Sequence, residues 1–193
     1  MNEIITTPDP RLREKSTKVH EITPEIHALI KEMVRLSLDW EKSHPHELST
    51  AMAAPQMGEN KRIIIVRDDL NNKENNSFTA LINPEVIQAD PRKTTKDYEG
   101  CLSVPEIYGL VKRPKKVKIK ALLEDGTEVR IKAEDFLART LLHEIDHLDG
   151  ILFIDHIKGD KKAFFRLDEN GDLIPLDYNT DIRNNKDLFP EEN

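Results

Sequence analysis

His143 and His147 stand four residues apart, with Glu144 beside the first, in the run His143-Glu144-Ile145-Asp146-His147-Leu148-Asp149-Gly150. On an α-helix that spacing stacks the two imidazoles on one face, where they can grip a single cation while the carboxylate handles a proton. Two histidines and a glutamate near a helix end can equally be a solvated face, so the pattern alone does not choose. A hydrolytic metal site needs a third protein ligand and an open position for water. Cys101 is the only cysteine, which excludes a disulfide within the chain and leaves a small buried hydrophobe, a reactive thiol or a metal ligand. If the Glu99-Gly100-Cys101-Leu102-Ser103 turn lies against the helix, Cys101, His143 and His147 supply a complete set. Thiolate and imidazole suit Zn(II) or Fe(II) better than Ca or Mg, and such a cation brings the pKa of a bound water toward neutrality. Glu144 is placed to take that proton and pass it to a leaving amine. A tetrahedral oxyanion then needs donors, for which the Gln56 side chain and the Leu102 N–H are the candidates.

Several elements must bring these residues together. Phe136 to Leu142 reads as the front of the motif helix, capped at Glu134-Asp135 and ended by Gly150. Gly100 suggests a tight turn with exposed amides around Cys101. Gln56 belongs to a stretch of small residues, Ser49 to Gly58, that lets another backbone or a ligand approach closely. Upstream, Pro8 and Pro10 predict an extended N-terminal arm from Ile4 to Val19. A long helix opens at Thr23-Pro24-Glu25, and Ile26, Ile30, Met33 and Trp40, supported by Leu29 and Leu36, define its buried face. Met33 and Trp40 are read as core. The helix ends at Ser43 to Leu48, where His44 and His46 flank a proline beside Glu47, a flexible loop that makes a poor cage for a cation.

The remaining elements are strands and loops. Arg62 to Val66 reads as a buried strand and Asp68 to Ser77 as a surface loop. Thr79 to Ile87 reads as a strand interrupted at Asn83-Pro84. Val117, Ile119 and Ala121, then Val129 and Ile131, alternate about an Asp125-Gly126 turn and predict an antiparallel hairpin. Ile151 to Ile154 reads as a short buried strand.

With 193 residues the chain can build one domain with a sizeable core. We expect a catalytic domain over residues 1–160 and a polar, acidic extension over 161–193. From Asp160 onward five basic residues face nine acidic ones, a net of −4. Phe164 and Phe165 are expected to anchor its start, and the last dozen residues to be loosely ordered. The overall net charge of −7 argues against bulk attraction to nucleic acid. The basic run Lys112-Arg113-Pro114-Lys115-Lys116, extended by Lys118 and Lys120, is read as a solvated face. No apolar run approaches the roughly 20 residues of a membrane span, and the N-terminus lacks the basic and apolar regions of a secretory signal. A cytoplasmic protein is the expectation.

Three separated blocks, Ala53-Ala54-Pro55-Gln56, Glu99-Gly100-Cys101-Leu102-Ser103 and His143-Glu144-Ile145-Asp146-His147-Leu148, resemble the signature motifs of peptide deformylase, in that family's order and spacing. The arm Pro8 to Leu12 and the run Leu152 to Asp155 are similar too, so the likeness spans about residues 4 to 157. The resemblance implies removal of the formyl group from N-terminal formyl-methionine of nascent chains, on an α+β fold with antiparallel sheets around the motif helix and a helix near the N-terminus. It carries the metal ligands onto Cys101, His143 and His147, the base onto Glu144, and the oxyanion donors onto Gln56 and the Leu102 amide. It places Thr50, Ala51, Gly100 and Tyr108 along the bound peptide. The metal implied is Fe(II), replaceable by Zn(II) or Ni(II), and Arg113 pairs with Glu99 by similarity. The partners implied are formyl-methionyl peptides and, transiently, the ribosome. That contact is often made in the family by a basic C-terminal helix, which a tail of net −4 does not resemble.

The chain departs from the family pattern at Ser49-Thr50-Ala51, which stand where the first motif usually begins Gly-x-Gly. In the family that backbone pairs with the substrate as an added strand. A methyl at Ala51 and a hydroxyl at Thr50 either narrow the methionine pocket or fix the loop differently. Tyr108 stands where many relatives carry Arg, and Leu142 where they usually carry Gln. Two other readings follow from these residues. A deformylase-like peptide-binding protein would keep the metal and lose efficient turnover. A metallopeptidase built on the two histidines and Glu144 would cut peptide bonds and give Cys101 no role.

Overall fold

The unbroken apolar run Ile63-Ile64-Ile65-Val66 has no polar side because both faces of its strand are covered. The computed structural model describes residues 3–44, 47–70, 72 and 74–189. Pro45 and His46, and with them any pairing of His46 with His44, lie outside the described residues. A helix, α1 (Pro24–Ser43), is followed by strands β1 (Ala51–Ala53), β2 (Ile63–Arg67), β3 (Phe78–Ala89), β4 (Thr94–Cys101), β5 (Val104–Pro114), β6 (Lys116–Leu122) and β7 (Glu128–Glu134). Helix α2 (Asp135–Leu148) carries the histidines, and β8 (Phe164–Leu167) and β9 (Leu173–Pro175) follow it. Two antiparallel sheets result, ordered β1-β2-β3-β6-β7 and β4-β5-β8-β9.

Side-chain pattern explains the layering. In α2, Ala138, Leu141, Ile145 and Leu148 pack against Ile64, Val66, Leu81, Val117 and Ile119 on one face of the larger sheet. On the opposite face, Ile26, Ile30, Met33 and Leu36 of α1 pack against Ile63, Ile65, Ala80 and Ile82. Strand β2 thus sends alternate residues into two cores. The smaller sheet has its own core of Val104, Val111, Phe153, Ile154, Ile157, Phe164, Ile182 and Leu188. The architecture is α+β, with antiparallel sheets around the motif helix and an N-terminal helix.

Both helices begin and end close to where the sequence puts them, and the β6–β7 hairpin turns at Asp125-Gly126. Asn83 takes a positive φ of 52° at the interruption of β3, where the register shifts. The N-terminal arm carries one 3-10 turn, Pro10–Arg13, and bonds through Ile5 N–H to Gln56 O and through Thr7 N–H to Ser103 O.

Four expectations need correction. Ile151 to Ile154 is no strand: Phe153–Ile157 forms a 3-10 helix. The Asp155 carboxylate accepts the Leu152 N–H at 2.7 Å and is itself held by Arg13, and that local side-chain bond wins over extended backbone. Trp40 is outside the core, half-buried at the end of α1 and stacked on His44. Arg113 leaves the solvated face formed by its exposed neighbours Lys112, Lys115 and Lys116 and is only 4% exposed. Of the segment expected to be loosely ordered, residues 190–193 lie outside the described residues, and in the described part Ile182 and Leu188 are buried. The sequence also concealed that residues 94–114 form a long hairpin, β4–β5, whose tip presents Cys101.

Candidate active site

Three elements converge. Helix α2 projects Arg139, His143 and His147 at four-residue intervals from one face, with Glu144 beside them. The β4–β5 hairpin supplies Glu99, Gly100, Cys101 and Leu102. The 3-10 turn Ala54–Met57 supplies Gln56. Cys101 Sγ lies 3.2 Å from His147 Nε2, and one ligand atom each from Cys101, His143 and His147 lie within 4.8 Å of one another. Both histidines and Glu144 are buried, so the solvated-face reading of this helix does not hold.

Glu99 organises the surroundings. Its carboxylate receives Arg113 Nε at 2.9 Å, Arg113 Nη2 at 3.0 Å and Arg139 Nη1 at 2.6 Å. His143 Nδ1 sits 3.0 Å from its other oxygen, which fixes the ring and leaves Nε2 for a cation. Arg113 reaches on to Asp146 and to His156 at 3.1 Å. Burial by itself raises the Glu99 pKa, but the hydrogen bonds and charges of His143 and Arg113 outweigh it and hold the carboxyl well below the usual range. Because the folded-state pKa is depressed, Glu99 stabilises the fold above the ordinary glutamate pKa, and that contribution is lost as pH falls below about 4.5. Glu99→Gln strands two buried guanidinium groups. It is expected to cost about 3–5 kcal/mol, measured by urea unfolding of metal-free protein at pH 7, with the gap to wild type closing in acid.

The residues present fit a soft divalent cation. Burial, the largest cause, pushes the His147 pKa well below its ordinary value, which keeps that ring neutral and able to coordinate. Two buried atoms, Glu144 Oε2 and His147 Nδ1, have no hydrogen-bond partner among the described residues. Such groups are normally satisfied, and here they flank a potential ligand triad. Burial, the largest cause, raises the Glu144 pKa to about 7, so this carboxyl can exchange a proton near neutrality. Gln56, 2% exposed, accepts the Ala53 N–H at 2.8 Å and directs Nε2 to Ser103 Oγ at 3.3 Å and Cys101 Sγ at 3.6 Å. Its amide is thereby fixed with the N–H side toward the thiol.

A cleft of about 380 Å³ opens over this floor, and Thr50, Ala51, Gln56, Gly100, Leu102 and Tyr108 all line it. Gly100 is there for space, since a Cβ would lie 2.7 Å from the Tyr108 ring. Leu142 is not in the cleft and packs on the α2 core instead. Sequence reasoning missed Trp40, Glu47, Phe136, Arg139 and Thr140, which also line it. Arg139 had a signal, four residues before His143 on the same helical face. Glu47 had none: it accepts the Tyr108 hydroxyl from a loop 61 positions away.

The family model for polypeptide deformylase matches residues 1–163. The peptide deformylase of Halothermothrix orenii is 46% identical over 149 residues, 77% of this chain and 88% of that one. That of Thermomicrobium roseum is 41% identical over 158 residues, 80% and 85% of the two chains. Among solved structures, a peptide deformylase from Thermotoga maritima superposes with a TM-score of 0.71 at 33% identity, covering 81% of this chain and 97% of that one. One from Synechococcus elongatus in complex with actinonin gives 0.69 at 32%, covering 80% and 78%. Because these matches run through the turn, the hairpin and the helix that build the cleft floor, and extend over most of each relative, the chain belongs to the polypeptide deformylase family.

Proposed function

We propose that the protein hydrolyses the formyl group from N-terminal formyl-methionine of nascent polypeptides, with Cys101, His143 and His147 holding the metal. The observation that carries this is the convergence of those three side chains at the floor of a cleft, beside a buried Glu144 whose Oε2 has no hydrogen-bond partner among the described residues. Fe(II) is the metal proposed for the cell, with Zn(II) or Ni(II) as substitutes on the softness of the ligands. When bound, such a cation acidifies water and polarises the formyl carbonyl.

The chain's own residues do the rest. Glu144 takes the proton of the attacking water and delivers it to the amine as the formyl C–N bond breaks, so that formate and a free N-terminus leave. Gln56 Nε2 and the Leu102 N–H donate to the oxyanion that develops. Glu99 fixes His143 through Nδ1. Strand β1 is one edge strand of the larger sheet and β4 one of the smaller, and residues of both line the cleft, where an extended peptide can pair as an added strand. Thr50, Ala51, Gly100 and Tyr108 then border the methionine end of the substrate.

A cytoplasmic setting beside the ribosome goes with that substrate. No described helix is long and apolar enough to cross a membrane. The acidic C-terminal segment adds β8 to β5 and β9 to β8, so ribosome contact through a basic C-terminal helix is not the mode we propose. Family membership favours turnover over the alternative of a peptide-binding protein with weak activity. Protein purified anaerobically with Fe(II) is expected to release formate from formyl-Met-Ala-Ser with one metal per chain by elemental analysis. Fully loaded protein that releases none would sink the reading.

A further inference from the structure

The cleft wall that departs from the family pattern is gripped by a buried ion pair. Arg67, at the end of β2, has a side chain that is 0% exposed. Its Nη2 donates to the Glu41 carboxylate of α1, its Nε to Ser49 O at 3.2 Å, and its Nη1 to Asn75 O. Glu41 Oε1 in turn accepts the Ser49 N–H at 2.8 Å. Both backbone polar groups of Ser49 are thus taken by one ion pair. The next carbonyl, Thr50 O, accepts the Arg67 backbone N–H at 2.9 Å. The Phe78 ring lies 4.8 Å from the guanidinium and closes the remaining side.

We infer that Arg67 and Glu41 are positioning residues that set the depth of the cleft wall Ser49-Thr50-Ala51 and so the side-chain selectivity of the site. The inference rests on the deformylase reading. Residues 47–50, which lead into β1, have no regular structure of their own, and the clamp fixes the point where that segment becomes cleft wall. Ser49 is 2% and Ala51 7% exposed, so their Cβ atoms are packed and the wall has one depth while the clamp holds. A planar fork that bonds in three directions is a task for Arg and not for Lys.

Arg67→Lys and Glu41→Gln test this, together with the double variant Glu41→Leu/Arg67→Met, which leaves no buried charge unpaired and can keep its stability. KM for formyl-Met-Ala-Ser is expected to rise about tenfold with kcat within about twofold of wild type. The preference for that peptide over formyl-Phe-Ala-Ser is expected to fall about fivefold. A general loss of stability would not move that ratio. Amide exchange at Thr50 and Ala51 should accelerate in the variants while that of β6 and β7 stays unchanged. Folded variants with wild-type KM, preference and exchange overturn the clamp and leave the deformylase reading intact. A metal-loaded wild type that releases no formate sinks that reading instead, and the exchange rates then still decide the clamp.

Discussion

Cys101→Ala is expected to strip the protein of stoichiometric metal and of nearly all formate release. Cys101 is one of three potential metal ligands that converge there, and its sulfur sits between the two other parts of the site, 3.2 Å from His147 Nε2 and 3.6 Å from Gln56 Nε2. Loss of an outer-shell partner alone typically costs 10–100-fold in metal affinity, so loss of a ligand should cost more than about 100-fold. Removing the several kcal/mol that a Lewis acid supplies lowers the rate by at least about a thousandfold. Elemental analysis and formate assay on one preparation check both. Retention of metal and activity would mean that the helix pair works alone, as in a metallopeptidase, and would overturn the ligand set.

Glu144→Gln should give the opposite pattern, metal kept and turnover lost. The substitution keeps the shape and removes only the ability to hold and return a proton, for which kcat should fall about 10²–10⁴-fold with little change in KM. The effect on stability has the reverse sign. A carboxyl whose folded-state pKa is raised from 4.5 to about 7 binds its proton more tightly in the folded state, so it costs stability as pH rises between those values. In metal-free protein at pH 8 the glutamine variant should therefore unfold at a higher urea concentration than wild type, by up to about 3 kcal/mol. A variant as active as wild type would remove Glu144 from the chemistry. An active-site substitution that lowered stability at pH 8 would show the carboxylate to be satisfied by a partner in solution.

Much of the site was legible because its signals are local. His143 and His147 announce a helical face by spacing, and Gly100 suggests the turn that carries Cys101, although Gly100 itself lies in β4 beside the Tyr108 ring. The two helices and the β6–β7 hairpin carry their periodicity in single unbroken segments. What stayed hidden depends on pairings between distant segments. Strands β4 and β5 mix exposed Lys96, Asp97 and Lys112 with buried Glu99 and Arg113, so their alternation is not one of hydrophobicity and no apolar period reveals them. Arg67 looks like the polar end of an apolar strand, yet it is fully buried because Glu41 and Ser49 meet it there. The short run after Gly150 has strand composition, but Asp155 captures its backbone, a bond that composition cannot show. Trp40 has the spacing of a core residue and lies one turn too near the end of α1 to be covered.

Cys101 and His147 are 46 residues apart in sequence, and they come from different structural units, a hairpin tip of the smaller sheet and a helix packed on the larger. A cation bound by both is a cross-link between those units, closing a loop that thermal motion would otherwise open. It also follows that a growing chain could offer the proposed ligand set only once α2 has been made, after β6 and β7. Metal uptake would then await the helix on the larger sheet and not the cysteine turn alone. Chelation should first release the β4–β5 hairpin to proteolysis and leave α2, held by its own apolar face, protected longest.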